Sequence, residues 1–599
     1  MVGTRPGRGD WAEAWLTSIM NALDLPRNGL LFIRNAFRSL RRKGLETLVV
    51  PVDGSFPERA PRRTPLPFPL SMLSVFPSEL SLEEMQDAMD VITADERVQA
   101  VVFRIHNLQA DSAALHTLRR MMLDIREAGK RTVAWLSSAD TWDYYLASAC
   151  DQIIAPPSGR LDALGLRTEA LFLKDTLAMA GIEADLESIA EYKVAPDMFR
   201  RTSMTEPHRE MLEAILDSLF DQFTEAVAQA RGMNTGQVRE LVDQMPMTPG
   251  TALEKGLIDA VLYEDELAAH LARKEDTSTA PDALDAEPTS DIAPLVSWGD
   301  AVRWLRRPVR WTTRKRVGVV SLEGMIVPGK SRRMPTPLPL PVEAQAGAET
   351  LTAALRQAEA DPRIAAVIFH VDSPGGSALA SDLIWRQVRR LRERKPVVAL
   401  MGQQAASGGY YVCAPANHIV GRPTTVTGSI GIWGGKFVLR GLYDNLEVGR
   451  QELHRGARAD LHSELRRFDE EERKQIREEL AETYGRFKHI VAQGRSMTDE
   501  EVEQVARGRV WTGTQAVTRN LVDELGDFQT ALKAAKSLAK LDPEQDVTVV
   551  QIVPPKQEFL PLPFPRNGEE GWTTLWDALR LLNRERVWAM APWMLRVQG

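Results

Sequence analysis

Apolar residues along the chain gather into short β-type runs separated by stretches with helical spacing. In the first half the runs are TLVVPVDG (47–54), AVVFRI (100–105), VAWL (133–136) and the end of YYLASACDQIIA (144–155). The second half repeats them as RVGVVSLEG (316–324), AVIFHV (366–371), VVAL (397–400) and YYVCAPANHIVG (410–421). Val101 to Val367 and Tyr144 to Tyr410 have one spacing, 266 residues (367 − 101 and 410 − 144). Two matched blocks at a constant offset indicate an internal duplication. Strand–helix–strand order in each copy implies parallel, right-handed βαβ connections. The predicted fold class is therefore α/β, built twice.

Between the copies, KEDTSTAPDALDAEPTSDIAP (274–294) is acidic, rich in Pro, Ser and Thr, and lacks apolar periodicity, so it reads as a linker. The expected organisation is a basic amphipathic segment at 1–45, a first domain at 46–272 and a connecting segment at 273–312. A second domain at 313–545 and a Pro/Trp-rich tail at 546–599 follow. The Pro-rich runs at 64–70, 335–341 and 559–565 favour extended backbone outside the cores, as at an oligomer interface. Trp572, Trp576, Trp588 and Trp593 in the tail suit partner contacts or the packing of a terminal helix.

Composition narrows the function classes. With 599 residues, 44% hydrophobic and 26% charged, the chain has ample length for buried cores and needs no metal or disulfide staple. Two cysteines, Cys150 and Cys413, exclude a disulfide scaffold and a Cys-rich zinc module. The net charge of −8 gives no reason to expect nucleic acid as a partner. It also hides a local asymmetry: residues 1–43 hold eight Arg/Lys against three acids. There Leu30, Ile33, Phe37 and Leu40 recur at helical spacing, with Arg34, Arg38, Arg41 and Arg42 largely on other faces. That pattern suits contact with an anionic membrane surface through residues 30–43, or a surface helix docked on the body of the protein. Neither a membrane span nor a cleavable signal is legible, so the expected location is the cytoplasmic membrane surface, or else the cytoplasm.

The chemistry lies in two Gly-rich turns of the second half. VDSPGGS places Gly375 and Gly376 after a strand, where backbone N–H groups approach a ligand closely. GQQAASGGYY places Ser407 before Gly408 and Gly409. A serine at such a turn presents Oγ to a cleft while the next N–H helps bind an oxyanion. Together they make a candidate nucleophile and oxyanion hole, with Gly375, Gly409 and Tyr410 as candidate substrate contacts. In the first half the counterparts of Ser407-Gly408-Gly409 are Thr141-Trp142-Asp143, and Gln109-Ala110 stand opposite Gly375-Gly376. The first copy has lost the backbone approach.

SPGGS followed by AASGGYY…PANHIV…TVTGSIGIWG resembles the signal peptide peptidase A (protease IV) family in its long form. The resemblance runs over roughly residues 46–540 and is most specific from Asp372 to Ile432. It implies tandem crotonase-like, Clp-protease-like domains, a homotetramer, and cleavage of short apolar peptides, especially signal-peptide remnants, by a Ser/Lys dyad. AEYKVAPDMFRR (190–201) is similar to the family's lysine segment and makes Lys193 the implied base, with departures at Val194 and Pro196-Asp197. Ser429, in TGSIGI, sits where the family places a hydroxyl that orients the lysine. The second copy has Arg458 near the position of Lys193, and an arginine does not serve as a base. Gly376 and Gly408 are then the implied oxyanion donors. A Ser–His peptidase using His370, His418 or His454, a catalytically silent scaffold at the membrane, and an acyl-CoA enzyme remain as alternatives. With no HExxH, CxxC or Walker-type loop, neither metal, nucleotide nor other cofactor is implied.

Overall fold

A computed structural model describes residues 28–41, 44–59, 80–272, 295–309, 312–333, 344–543, 545–553, 587–591 and 597–598. The linker at 274–294, the three Pro-rich runs, and Trp572, Trp576 and Trp593 lie outside the described residues. The chain forms two compact units that are not contiguous in sequence. One comprises residues up to 166 together with 220–312; the other comprises 167–219 and 313–598.

The first unit is organised by a parallel sheet. Its centre is β1 (Thr47–Gly54), β2 (Ala100–Leu108), β3 (Arg131–Leu136) and β4 (Gln152–Ala155). Leu295–Ser297 pairs on the edge beside β1, and Ala260–Val261 on the edge beside β4. The near-continuous apolar runs follow from burial on both faces, which parallel sheets require. Val101, Phe103 and Ile105 of β2 face one core, whereas Val102 faces another with Val133, Ile154 and Leu267. Helix α1 (Ser112–Glu127) covers the first face, with Asp111 at its start accepting from the Ala114 N–H. A helix at 28–38 carries the basic amphipathic sequence. Asn35 of that helix hydrogen-bonds with Arg307, yet Leu30, Phe32, Ile33, Phe37 and Leu40 are exposed. Among the described residues no helix is long and apolar enough to cross a membrane.

The second unit contains two large sheets and, among the described residues, a two-stranded one that pairs Arg167–Thr168 with Val597–Gln598. The strands around the site are β5 (Glu183–Ser188), β6 (Thr312–Glu323), β7 (Met325–Val327), β8 (Ile364–Ser373), β9 (Gly375–Ser377), β10 (Val397–Ala406), β11 (Val426–Gly428), β12 (Trp433–Val438) and β13 (Val587–Met590). In the first sheet β6, β8, β10 and β11 lie side by side in parallel, reproducing the β1–β2–β3 order of the other unit. The second sheet contains the order β7, β9, β13, β12, β5.

The duplication extends to buried polar contacts within each unit. Tyr144 donates to the Leu257 carbonyl at 2.6 Å, and Tyr410 to the Leu521 carbonyl at 2.9 Å. Arg231 pairs with Asp259 as Arg495 pairs with Asp523. Each of those carboxylates also accepts a strand N–H at 2.7 Å, from Ile153 and Ile419 respectively.

The compact units differ from the contiguous segments expected at 46–272 and 313–545. Residues 167–219 pack within the second unit because β5 is antiparallel to β12 over its whole length, from Glu183↔Val438 to Ser188↔Trp433. Ion pairs fix this arrangement. Arg473 bridges Asp185 and Glu187, and Arg477 reaches Glu187, from the helix Glu470–Arg495.

Candidate active site

Strand β10 ends at Ala406, and a short helix, α2 (Gly408–Cys413), begins two residues later. Ser407 makes the corner between them with φ 54° and ψ −114°. Holding a non-glycine residue there costs on the order of 1–3 kcal/mol, and the surroundings enforce it. Ser407 N–H donates to the Gly428 carbonyl, and Tyr411 N–H to the Ser407 carbonyl, both at 2.8 Å. A β carbon on Gly408 would sit 2.6 Å from Ser381 Oγ, and one on Gly409 2.7 Å from the Ser373 carbonyl oxygen. These glycines let the corner press onto the turn after β8. Gly409 is thus a packing position. Tyr410 is likewise in the core rather than at a substrate surface, because the helix turns its ring inward and its hydroxyl is held by Leu521.

The second Gly-rich turn meets the first. A β carbon on Gly375, whose φ is +102°, would fall 2.7 Å from Gly408 N and 3.0 Å from the Ala406 carbonyl oxygen. One on Gly376 would fall 2.0 Å from the Ile326 carbonyl oxygen, where β9 lies against β7. Gly375, Gly376 and Gly408 therefore bring bare backbone to one place beside Ser407.

Lys193 completes the cluster. Its Nζ is hydrogen-bonded to Ser407 Oγ at 2.7 Å and lies 3.1 Å from both Ser429 Oγ and the Ser429 carbonyl oxygen. All three residues are buried, Lys193 at 1% exposure. Burial alone, with no acidic neighbour opposing it, lowers the Lys193 pKa well below the usual lysine value and favours the neutral amine. The nearby acids are engaged elsewhere: Glu191 pairs with Arg507, and Asp197 with Arg200 and Arg201. Backbone contacts set the lysine in place. Tyr192 N–H donates to the Arg507 carbonyl, Ile189 N–H to the Ile432 carbonyl, and Gly508 N–H to the Ile430 carbonyl. A β carbon on Gly508 would lie 2.4 Å from Lys193 N. Ser429, at φ 50°, is fixed by its N–H to the Arg509 carbonyl at 2.7 Å.

The histidines are placed otherwise. His418 pairs with Glu524 at 3.0 Å, His454 is exposed, and His370 is buried on β8. In the first unit Thr141 is buried and its Oγ1 donates to the Gly165 carbonyl at 2.9 Å. The adjoining Asp143 carboxyl is pushed up to about 7 by burial and by Asp140.

The model of peptidase family S49 matches the chain twice, over residues 124–278 and 389–542. The chain belongs to this family. Serine protease SPPA of the Arabidopsis thaliana chloroplast is 33% identical over 483 residues, 80% of this chain and 69% of its own. Protease 4 of Salmonella typhi is 29% identical over 473 residues, 77% of this chain and 73% of its own. Among solved structures, a Listeria monocytogenes ClpP1 mutant is 16% identical and covers 36% of this chain and 94% of its own, with a TM-score of 0.23. This S49 peptidase is accordingly a serine peptidase of tandem, duplicated α/β domains.

Part of the site is not apparent from sequence. Gly508 lies in an ordinary ARGRV stretch, and only its contact with Lys193 gives it a role. Arg509 is similar: it bonds Glu210 and stacks over Tyr192, which in turn donates to Glu210.

Proposed function

We propose that this S49 peptidase hydrolyses short apolar peptides with Ser407 as nucleophile and Lys193 as general base. The observation that carries the reading is the 2.7 Å contact between Ser407 Oγ and a fully buried Lys193 Nζ without a counter-ion. A neutral amine at that distance takes the hydroxyl proton as Oγ attacks the peptide carbonyl. Gly376 and Gly408 N–H groups stabilise the oxyanion, at the place where both turns present bare backbone. The resulting ammonium protonates the leaving amine, and water activated by Lys193 releases the acyl group. Ser429, in contact with the same Nζ, orients the amine.

The peptide binds extended, through backbone hydrogen bonds beside Ser407. Trp433, Met325 and Val327 in the adjoining core favour apolar side chains. Signal-peptide remnants at a membrane surface are such substrates, and the exposed apolar residues of the basic helix at 28–38 support contact with an anionic surface. The test is hydrolysis of a chromogenic apolar peptide by Ser407→Ala and Lys193→Ala. Both are expected to lose about 10⁴-fold or more in kcat. Undiminished hydrolysis in either variant would overturn the dyad.

A further inference from the structure

Lys193 lies in an irregular stretch between β5 and the helical turn Asp197–Arg200, yet its amine meets Ser407 and Ser429 together. Residues 507–509 join the two sides. The Arg507 carbonyl accepts from Tyr192 N–H at 3.1 Å, Gly508 N–H donates to the Ile430 carbonyl at 2.9 Å, and the Arg509 carbonyl accepts from Ser429 N–H at 2.7 Å. One tripeptide thus ties the residue before the lysine to the serine that faces its amine. Side chains close the same joint. Arg509 lies between two aromatic rings, its guanidinium carbon 4.9 Å from the centre of the Tyr192 ring and 4.7 Å from that of Trp511. Trp511 belongs to the strand Val510–Thr512, which pairs antiparallel with β11, the strand leading into Ser429. The guanidinium donates to Glu210 at 2.7 Å and to the Tyr192 hydroxyl at 3.3 Å, and that hydroxyl donates to Glu210 at 2.8 Å. Arg509, Tyr192 and Glu210 therefore form a closed triangle. On the other side of Gly508, Arg507 pairs with Glu191, but this single pair is largely exposed and contributes little. A guanidinium held flat between two rings is fixed in direction as well as in place.

We propose that Arg509 is a positioning residue for the hydrolysis, its side chain holding Tyr192 so that the adjoining Lys193 amine stays on Ser407; this rests on the assignment of Ser407 and Lys193 above. Arg509 acts through Tyr192 and takes no part in making or breaking bonds. Without its side chain the Tyr192 side of the joint loosens, while the backbone bond from Ser429 to residue 509 remains. The amine then stands off Ser407 for part of the time, and water enters around it. The first effect lowers kcat and spares KM, because peptide binding does not use this residue. The second weakens the burial that keeps the amine neutral. Glu210, left without its cation, acts in the same direction, and the Glu191–Arg507 pair is unchanged.

The experiment is steady-state hydrolysis of a chromogenic apolar peptide across a range of pH. It compares the wild-type chain with Arg509→Met, Tyr192→Leu, the double variant and Lys193→Ala, per mole of chain folded by circular dichroism. Arg509→Met is expected to lower kcat by about 10- to 100-fold with KM changed by less than about twofold. The acid limb of its kcat/KM profile is expected to move to higher pH, which a loss of stability alone would not do. The double variant is expected to be no slower than the slower single one, since both changes break one link. Arg509→Lys keeps a charge beside Glu210 but not a plane between two rings, so it is also expected to lose kcat and carries the test should Arg509→Met fail to fold. Wild-type kcat and pH profile in the Arg509 variants, or losses that multiply in the double variant, would overturn this inference; an inactive Lys193→Ala would then leave the dyad standing. Undiminished hydrolysis by Lys193→Ala would remove the dyad and this inference with it.

Discussion

At the scale of single residues, the proposed chemistry depends on keeping one amine uncharged. Lys193 is ammonium in the unfolded chain at neutral pH, and burial disfavours that form in the folded one. Folding below the unfolded lysine pKa therefore requires release of a proton. The cost is greatest at low pH and fades as pH rises toward about 10.4. Lys193→Met is thus expected to raise Tm by a few degrees near pH 7 and by less near pH 10, as read by calorimetry at both pH values. The same shift sets the rate profile. kcat/KM is expected to rise with pH through an apparent pKa well below the usual lysine value, as Lys193 loses its proton. A pH–rate profile of the wild type checks this, and Lys193→Arg should be inactive throughout. The serine of this pair is legible in the sequence, because a Ser followed by two glycines after a strand marks a tight corner that exposes its hydroxyl. The roles of Lys193 and Ser429 come from the family resemblance. Nothing in local patterning marks a lysine for burial, since its neighbours Glu191 and Asp197 suggest a solvated surface and are in fact turned toward arginines.

At the scale of elements, close backbone approaches hold the chemistry in place. Gly508, at φ +82°, leaves no room for a β carbon against Lys193 N. Gly508→Ala is expected to displace the lysine by a fraction of an ångström or more and to lower kcat by about 10²-fold, with the fold retained by circular dichroism. Strand β5 is a second support. Arg473→Ala removes the partner of both Asp185 and Glu187. It should destabilise the protein by about 1–3 kcal/mol in urea unfolding, since the mostly buried Asp185 then loses charged hydrogen bonding. The strands β1, β2, β3, β6, β8 and β10 can be read from their apolar runs, since central parallel strands are apolar on both faces. Strands β9 and β13 cannot. GGS and VWAM are too short to show a period, and only their neighbours make them strands.

At the scale of the whole molecule, the duplication is legible from one constant offset, but the division of labour it suggests needs restating. By sequence position, the proposed base lies in the first copy and the proposed nucleophile in the second. By packing, residues 167–219 lie within the unit that contains Ser407, because β5 finds its hydrogen-bonding partner in β12. Sequence order says which copy a segment descends from, not which sheet it joins. The remaining first unit has Thr141 tied to the Gly165 carbonyl where the second has its serine. Thr141→Ala should therefore leave kcat/KM unchanged while costing about 1–3 kcal/mol of stability, for the loss of both its hydrogen bonds with the Gly165 backbone, in parallel kinetic and unfolding measurements.

In the proposed mechanism Ser407, activated by Lys193, is the acylated residue. A fluorophosphonate that reacts with activated serines, followed by peptide mapping, tests it directly. A single adduct on Ser407 in the wild type, absent from Lys193→Ala, is the predicted result. An adduct on another serine, or undiminished labelling of Ser407 without the lysine, would contradict the account.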